Sequence, residues 1–540
     1  MSFIKAGAFA PRKYQEDIAH SALAKSTLVV LPTGLGKTIV ALIVIDHVLA
    51  EGKKVLFLSP TKPLSEQHQK KMKESLELES EKIVLITGET PANQRKAEWD
   101  KATIAIATPQ TVENDLKSGI CSLEGYGLCI FDEAHRTVGK YAYTFVAGEC
   151  AKKGVITLGL TASPGADRKK IAEITETLGI ANVEMRAEED EDVAPYVNPI
   201  EPRWINVELP ADYRELREPL EALIDKRMKT MRKLGYLFPN AKRIGKGALM
   251  QIQGRILREH DSWRKFRALS LHATLMNLLH AHELLETQGI TTFREFFKRM
   301  EGRRERSKAV QGILEDPSIQ LMLEKAQKVT EEHPKLRILR ELVADKSKTY
   351  IVFVQYRDQV KKIVEVLKAA GINARQFVGK KDGVTQKHQQ ETIAAFRKGE
   401  FNVLVASSIG EEGLDIPSVD CVIFYEPVAS EIRSIQRRGR AGRAKAGEVV
   451  FLITKGTKDE VAYWTSKKKE GRMKRIVSGW GAGKESLGKA AGGKEEGAEK
   501  QEEAEETDYR KQEKTVWPSP MRKRKEKKEK GKQSTTGDFF

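Results

Sequence analysis

One stretch constrains the fold of this chain more than any other: Leu31-Pro32-Thr33-Gly34-Leu35-Gly36-Lys37-Thr38. A short apolar run, Thr27–Leu31, precedes it and reads as a buried strand. Ile39-Val40-Ala41-Leu42-Ile43-Val44 follows and reads as a helix packed on a sheet. Strand, glycine loop, Lys-Thr and helix together make a phosphate cradle. The glycines let backbone N–H groups approach phosphate oxygens, and the helix N-terminus adds partial positive charge. Thr33, Gly34, Leu35 and Gly36 line the cradle. Lys37 reaches the β- and γ-phosphates, and the Thr38 hydroxyl ligates magnesium. The implied ligands are ATP and Mg2+. The chain departs from the common Walker pattern at Leu31, where that pattern has glycine.

The same alternation of strand and helix continues. Apolar runs at Thr27–Leu31, Val55–Ser59, Ile83–Thr87, Thr103–Ala107, Leu128–Phe131 and Val155–Leu160 are separated by helical stretches. This predicts a parallel sheet covered by helices over residues 1–200. A second such block, 336–476, has runs at Thr349–Val354, Ala374–Val378, Asn402–Ala406, Cys421–Tyr425 and Glu448–Ile453. Between them strand runs vanish. Leu269, Leu271, Leu275, Leu278 and Leu279 recur at helical spacing, so 201–335 is predicted to be an all-helical insert. From 477 onward Gly, Glu and Lys dominate. An acidic run, Glu495–Asp508, precedes a basic one, Arg522–Lys532, and this tail is expected to be disordered.

Charge sharpens the division. The chain carries +17 over 540 residues. From Lys226 to Lys308 there are 20 Lys and Arg against 7 Asp and Glu, a net +13. An excess concentrated in the helical insert points to a polyanionic partner. No run is long and apolar enough for a membrane span, and Met1-Ser2-Phe3-Ile4-Lys5 lacks a signal-peptide core. The scattered Cys121, Cys129, Cys150 and Cys421 have no metal-ligand spacing, which suggests a reducing interior.

Two further clusters carry chemistry. Phe131-Asp132-Glu133-Ala134-His135 closes a strand-like run. Asp132 is placed to hold magnesium through water, and Glu133 to polarise water attacking the γ-phosphate. Gln436-Arg437-Arg438-Gly439-Arg440-Ala441-Gly442-Arg443 lies in the second block. Arg440 and Arg443 are positioned to reach the γ-phosphate across a cleft as arginine fingers. Such a site is complete only when the two blocks close on one ATP, which couples hydrolysis to movement along a bound strand.

Together these motifs resemble a superfamily 2 DEAH-type helicase, whose two sheets are RecA-like lobes. The resemblance assigns Arg12 and Gln15, in Arg12-Lys13-Tyr14-Gln15, to the adenine. It assigns Thr61, Lys62 and Thr108 to gripping the strand, Thr161 and Ser163 to coupling, and Gln436 to the catalytic set. Ser408, Gly413 and Asp415, in Ala406–Asp415, would touch strand and nucleotide from the second lobe. Pro32–Thr38, Phe401–Pro417, Ile432–Arg440, Lys455–Glu460 and Tyr463-Trp464 resemble archaeal Hef, which is similar to the Fanconi anaemia group M translocases. The resemblance covers about residues 8 to 475. It implies a helical insert that binds branched DNA, here through Arg303 and Arg304, and a cytoplasmic, nucleoid-associated protein of replication-fork repair. Hef usually continues into an XPF-type nuclease. The Glu-Arg-Lys motif of that nuclease is missing here, so no nuclease activity is expected, and the resemblance points to a separate nuclease as a partner.

The terminus Gln533-Ser534-Thr535-Thr536-Gly537-Asp538-Phe539-Phe540 resembles the sliding-clamp (PCNA) peptide, with Gln533, Phe539 and Phe540 as anchors and Thr536 in place of the usual aliphatic. Two other readings stand beside a fork-directed DNA helicase: an ATPase stimulated by double-stranded RNA, and a non-catalytic scaffold held on a clamp.

Overall fold

The computed structural model describes residues 2–137, 142–164, 168–197, 202–237, 245–379, 384–407, 419–427 and 447–481. The first sheet contains β1 (Thr27–Val30), β2 (Lys54–Leu58), β3 (Ile83–Ile86), β4 (Ile104–Ala107), β5 (Tyr126–Asp132), β6 (Ile156–Thr161) and β7 (Asn182–Met185). They run in the order β3-β4-β2-β5-β6-β1-β7, and every pairing is parallel. β1 and β4 are buried at every residue. Helices cover both faces of a parallel sheet, so its strands read as unbroken apolar runs. All strands point one way, so their C-terminal ends share one edge. The glycine loop leaves β1 there, Thr61 follows β2, Thr108 follows β4, Glu133 follows β5, and Ser163 follows β6. In open α/β sheets this edge is where ligands bind.

The second sheet holds β8 (Pro202–Val207), β9 (Tyr350–Phe353), β10 (Ala374–Phe377), β11 (Val403–Ala406), β12 (Cys421–Phe424) and β13 (Glu448–Thr454). Its order is β10-β11-β9-β12-β13-β8, again all parallel. The expected two-lobe α/β architecture with a helical bundle between the lobes is therefore present. The expected strands fall within a residue or two of the observed ones.

Two strands correct the sequence-based expectation. β7 adds an edge to the first sheet beside β1. β8 lies where the helical insert is predicted to begin, yet it pairs with β13 over Pro202–Val207. Its burial is mixed, and proline opens it, as suits an edge strand whose N–H groups are not all needed. Its partner lies far along the chain, so no local pattern announces the pairing.

The bundle proper comprises helices Ala211–Lys233, Lys246–Leu257, Trp263–Thr287, Ile290–Glu301, Lys308–Leu314 and Pro317–Lys328. Leu271, Leu275 and Leu278 enter a core shared with Leu216, Leu220 and Phe293, and Leu269 and Leu279 pack against it. Where the bundle meets the second sheet, the contact is polar and buried. Gln288 donates to Glu426, and Thr292 Oγ1 donates to Gln359 at 3.2 Å. Burial raises the Glu426 carboxyl to about 7. Glu283 pairs with Lys246 and, at 3.0 Å, with Lys458. Burial alone would raise the Glu283 carboxyl, but the two ammonium groups hold it at about 2. Lys335, fully buried, pairs with Asp459 and donates to the Tyr425 carbonyl at 2.7 Å.

The last described helix, Lys458–Gly481, leaves the second sheet and returns to the first lobe. Its Met473 joins the first lobe's core with Cys129, Phe131 and Tyr143. Among the described residues no helix is long and apolar enough to cross a membrane.

Candidate active site

The loop between β1 and the helix Lys37–Ala50 passes twice through left-handed backbone, at Gly34 (φ 93°) and Gly36 (φ 81°). A side chain is strained in that region, so glycine is required. Gly36 is constrained twice, because a Cβ there would sit 2.4 Å from Gln15 Nε2. Gln15 is itself fixed. Its Nε2 donates to the Leu35 carbonyl (3.0 Å), and its Oε1 accepts from the Arg12 N–H (2.9 Å). The Tyr14 hydroxyl donates to the same Leu35 carbonyl at 2.8 Å. The predicted adenine-reading segment is thus fastened to the phosphate loop, and Arg12 lies 4.4 Å over the Tyr196 ring.

Lys37 donates to the Leu31 carbonyl at 2.9 Å, closing the loop on itself. Thr33 and Thr38 are half-buried beside it. Asp132 is the last residue of β5, and Glu133 follows with φ 52°, alone among the described non-glycine residues in the left-handed region. Such a conformation costs about 1–3 kcal/mol and persists only where the surroundings enforce it, commonly at active sites. Burial would raise the Asp132 carboxyl, but the His68 ring and the Lys37 ammonium outweigh it and hold the group below its ordinary value. Asp132 feels the charge of Lys37, the residue before Thr38, and a carboxylate with a threonine hydroxyl is a hard oxygen donor set that fits Mg2+.

His135 completes the cluster. Burial drives its ring down to about 4, so it is neutral at physiological pH. Its Nδ1 lies 3.2 Å from Thr161 Oγ1 and 3.3 Å from Glu133 Oε2. With a neutral ring, the approach to Glu133 is a polar contact and not an ion pair. Thr161 Oγ1 donates to the Ser163 carbonyl (3.1 Å) and accepts from the Ser163 N–H (3.2 Å). Ser163 Oγ reaches Met473 Sδ at 2.8 Å. The predicted coupling residues therefore form a chain from His135 to a helix that starts in the second lobe.

Two residues here escape a sequence reading. Met473 is one. The other is His68, on the helix Lys62–Ser75, whose Nε2 donates to Asp132 Oδ2 at 3.0 Å and whose ring packs 4.4 Å from Phe57. Only tertiary structure brings the two together. His68 is a positioning residue, since it holds the carboxylate that would hold magnesium. His68→Ala should lower ATP turnover about 10-fold and raise the magnesium needed for half-maximal rate by a similar factor, as the removal of a group that orients a metal ligand does. His68→Gln, which keeps an N–H donor, should restore part of both. A magnesium titration unchanged in His68→Ala would remove the role.

The predicted strand-gripping residues sit on the same sheet edge. Thr61 precedes the helix Lys62–Ser75, and its buried Oγ1 has no hydrogen-bond partner among the described residues. Lys62 is held by Glu89 and, at 3.6 Å, Glu66. Thr108 stands at the N-cap position of the helix Pro109–Lys117, its Oγ1 2.9 Å from Thr111 Oγ1. Arg303 and Arg304 are exposed on the bundle, apart from this cluster. Arg303 lines a cavity of about 290 Å³ with His280, Phe296, Arg299, Tyr356 and Asp358. Ser408, Gly413, Asp415, Gln436, Arg440, Arg443, Gln533, Phe539 and Phe540 lie outside the described residues. Elsewhere, Glu221, His282 and Glu286 gather metal-type ligand atoms, but Arg217 lies 3.4 Å from both carboxylates and already compensates their charge.

Comparison with known proteins agrees with this geometry. Residues 12–171 match the DEAD/DEAH box helicase family, and 334–445 match the helicase conserved C-terminal domain. Residues 212–333 match a family described provisionally as the helical bundle of an ATP-dependent RNA helicase. The chain is 40% identical over 484 residues to a Methanocaldococcus jannaschii protein with the provisional description ATP-dependent RNA helicase, covering 88% of this chain and 61% of that one. It is 32% identical over 512 residues to the ATP-dependent DNA helicase fml1 of Schizosaccharomyces pombe, covering 87% and 60%. It thus spans about three fifths of each relative. The crystal structure of the Pyrococcus furiosus Hef helicase domain superposes with a TM-score of 0.68 at 41% identity, covering 86% of this chain and 100% of that one.

Proposed function

This chain belongs to the Hef group of superfamily 2 DEAD/DEAH-box helicases, and from that membership we propose that it is an ATP-dependent DNA helicase or translocase acting on forked and branched DNA. The observation that carries the proposal is the shared sheet edge. Glycine loop, Asp132-Glu133 and Thr161–Ser163 converge there with the strand-gripping segments Thr61-Lys62 and Thr108. In this reading Gly34 and Gly36 open the backbone to phosphate oxygens, and Lys37 leaves the Leu31 carbonyl for the γ-phosphate. Glu133 takes a proton from the attacking water. Asp132 and Thr38 would hold magnesium, which would supply charge neutralisation at the phosphates when bound. Neutral His135 passes the change through Thr161 and Ser163 to Met473, and so to the helix that starts in the second lobe. Arg440 and Arg443 supply the fingers from that lobe, Gln436 belongs to the catalytic set, and Ser408, Gly413 and Asp415 serve strand and nucleotide. The basic bundle holds the branch. Phe539 and Phe540, with Gln533, anchor a sliding clamp, a separate nuclease cuts where required, and the protein works on the chromosome.

A second reading has a specific observation behind it: one relative and the bundle family carry RNA-helicase descriptions. ATPase and unwinding assays on forked DNA, four-way junctions, linear duplex DNA and duplex RNA separate the two. Branched DNA should stimulate hydrolysis most. Stronger stimulation by duplex RNA would replace the DNA reading. If the bundle grips the branch, Arg303→Ala with Arg304→Ala and Arg306→Ala should weaken fork binding. The salt slope of log K should become shallower by about one unit for each phosphate no longer neutralised. An unchanged slope would leave the three arginines as ordinary surface charge.

A further inference from the structure

We infer that Trp263 and Phe266, at the start of the 25-residue bundle helix Trp263–Thr287, form a stacking platform for the bases of unpaired DNA. Trp263 is 69% exposed and Phe266 60%. Large aromatics lose much by facing water, since each can bury about 150–250 Å². Their i, i+3 spacing puts both on one helix face.

The support beneath them is rigid. Ser262 caps the helix by accepting from the Lys265 N–H at 3.2 Å. Lys265 Nζ donates to the Glu259 carbonyl (2.7 Å) and to Asp261 (2.8 Å). The Tyr236 hydroxyl donates to Glu259 at 2.6 Å, and Arg264 lies over the Tyr236 ring and donates to the Leu234 carbonyl at 2.8 Å. The two acidic groups of the turn are thereby engaged with groups of the bundle itself. Arg267 lies 5.8 Å over the Trp263 ring, and Arg258 is exposed on the same turn. A pair of flat apolar rings rimmed by cations suits a partner that offers flat rings and anions together. An unpaired strand does so, whereas a duplex hides its base faces within its own stack. An apolar protein surface would meet this cationic rim without compensation.

The inference rests on the DNA reading above and adds a site to it. In the full chain, Trp263→Ala with Phe266→Ala should lower affinity for forks bearing an unpaired arm about 10-fold or more. Affinity for a blunt duplex of equal length should change less than twofold. Trp263→Phe should keep most of the fork affinity. Both side chains are exposed, so the double variant should melt like the parent, and a melting curve checks this. Equal losses on fork and duplex would make the patch a general grip and overturn the platform. Unchanged fork affinity would overturn it too, and loss of self-association without DNA would reassign the patch to a protein contact. If the parent chain itself prefers duplex RNA, it is the DNA reading that fails. If the parent binds forks and the double variant does so equally well, only this inference fails.

Discussion

Glu133→Gln should leave ATP affinity near that of the parent chain while lowering hydrolysis by about 10²–10⁴-fold, the range a positioned general base supplies. The amide keeps the size and hydrogen-bonding reach of the side chain but cannot take a proton from water. Its neighbours stay where they are, because Asp132 is held by His68, and His135 by Thr161. Lys37→Ala should differ in kind. It removes a cation from the phosphate loop, so binding and turnover should fall together, turnover by about 10²–10³-fold. The contrast between the variants is the test, read from equilibrium binding of a nucleotide analogue beside steady-state turnover. Near-normal turnover in Glu133→Gln would mean that another group is the base. Because Glu133 holds left-handed backbone (φ 52°), Glu133→Gly should also melt higher than Glu133→Gln.

The second large effect concerns stability. Lys335 is completely buried, and its ammonium is satisfied by Asp459 and the Tyr425 carbonyl, with the Tyr425 ring 5.2 Å away. Lys335→Met removes the cation and leaves Asp459 buried without its countercharge. Breaking one side of a buried pair costs about 3–5 kcal/mol. For a unit the size of the second lobe that corresponds to a fall of about 10 °C in its melting midpoint. Lys335→Met with Asp459→Leu should recover most of the loss, because an apolar pair of similar volume no longer strands a charge. A single variant that melts like the parent would show that water reaches Asp459 and that the pair is not the anchor it resembles.

How much of this was legible beforehand follows from what each feature depends on. β1, β2, β4 and β11 are continuous apolar runs because both faces of their sheets are covered, so composition alone reveals them. Glycine loop, Asp132 and Glu133 are legible because their chemistry demands particular residue types at strand ends. β7 and β8 are not, since an edge strand is half-exposed and its pairing is decided by residues far along the chain. His68 and Met473 lie in unremarkable helical sequence and acquire a role only through what they touch. Trp263 and Phe266 illustrate the opposite failure: their helix is readable, but local sequence does not tell which of its apolar side chains face water.

The place of β8 has a practical consequence for anyone dividing the molecule. The chain visits the second sheet first at Pro202–Val207, then builds the bundle, then returns at β9. The bundle is therefore spliced into the second lobe, with both of its ends anchored there. A fragment beginning near residue 336 would carry β13 with one whole hydrogen-bonding edge bare, a template for chain-to-chain pairing. Cutting ahead of Pro202 keeps that edge covered, and a bundle-free lobe needs β8 grafted back through a short linker.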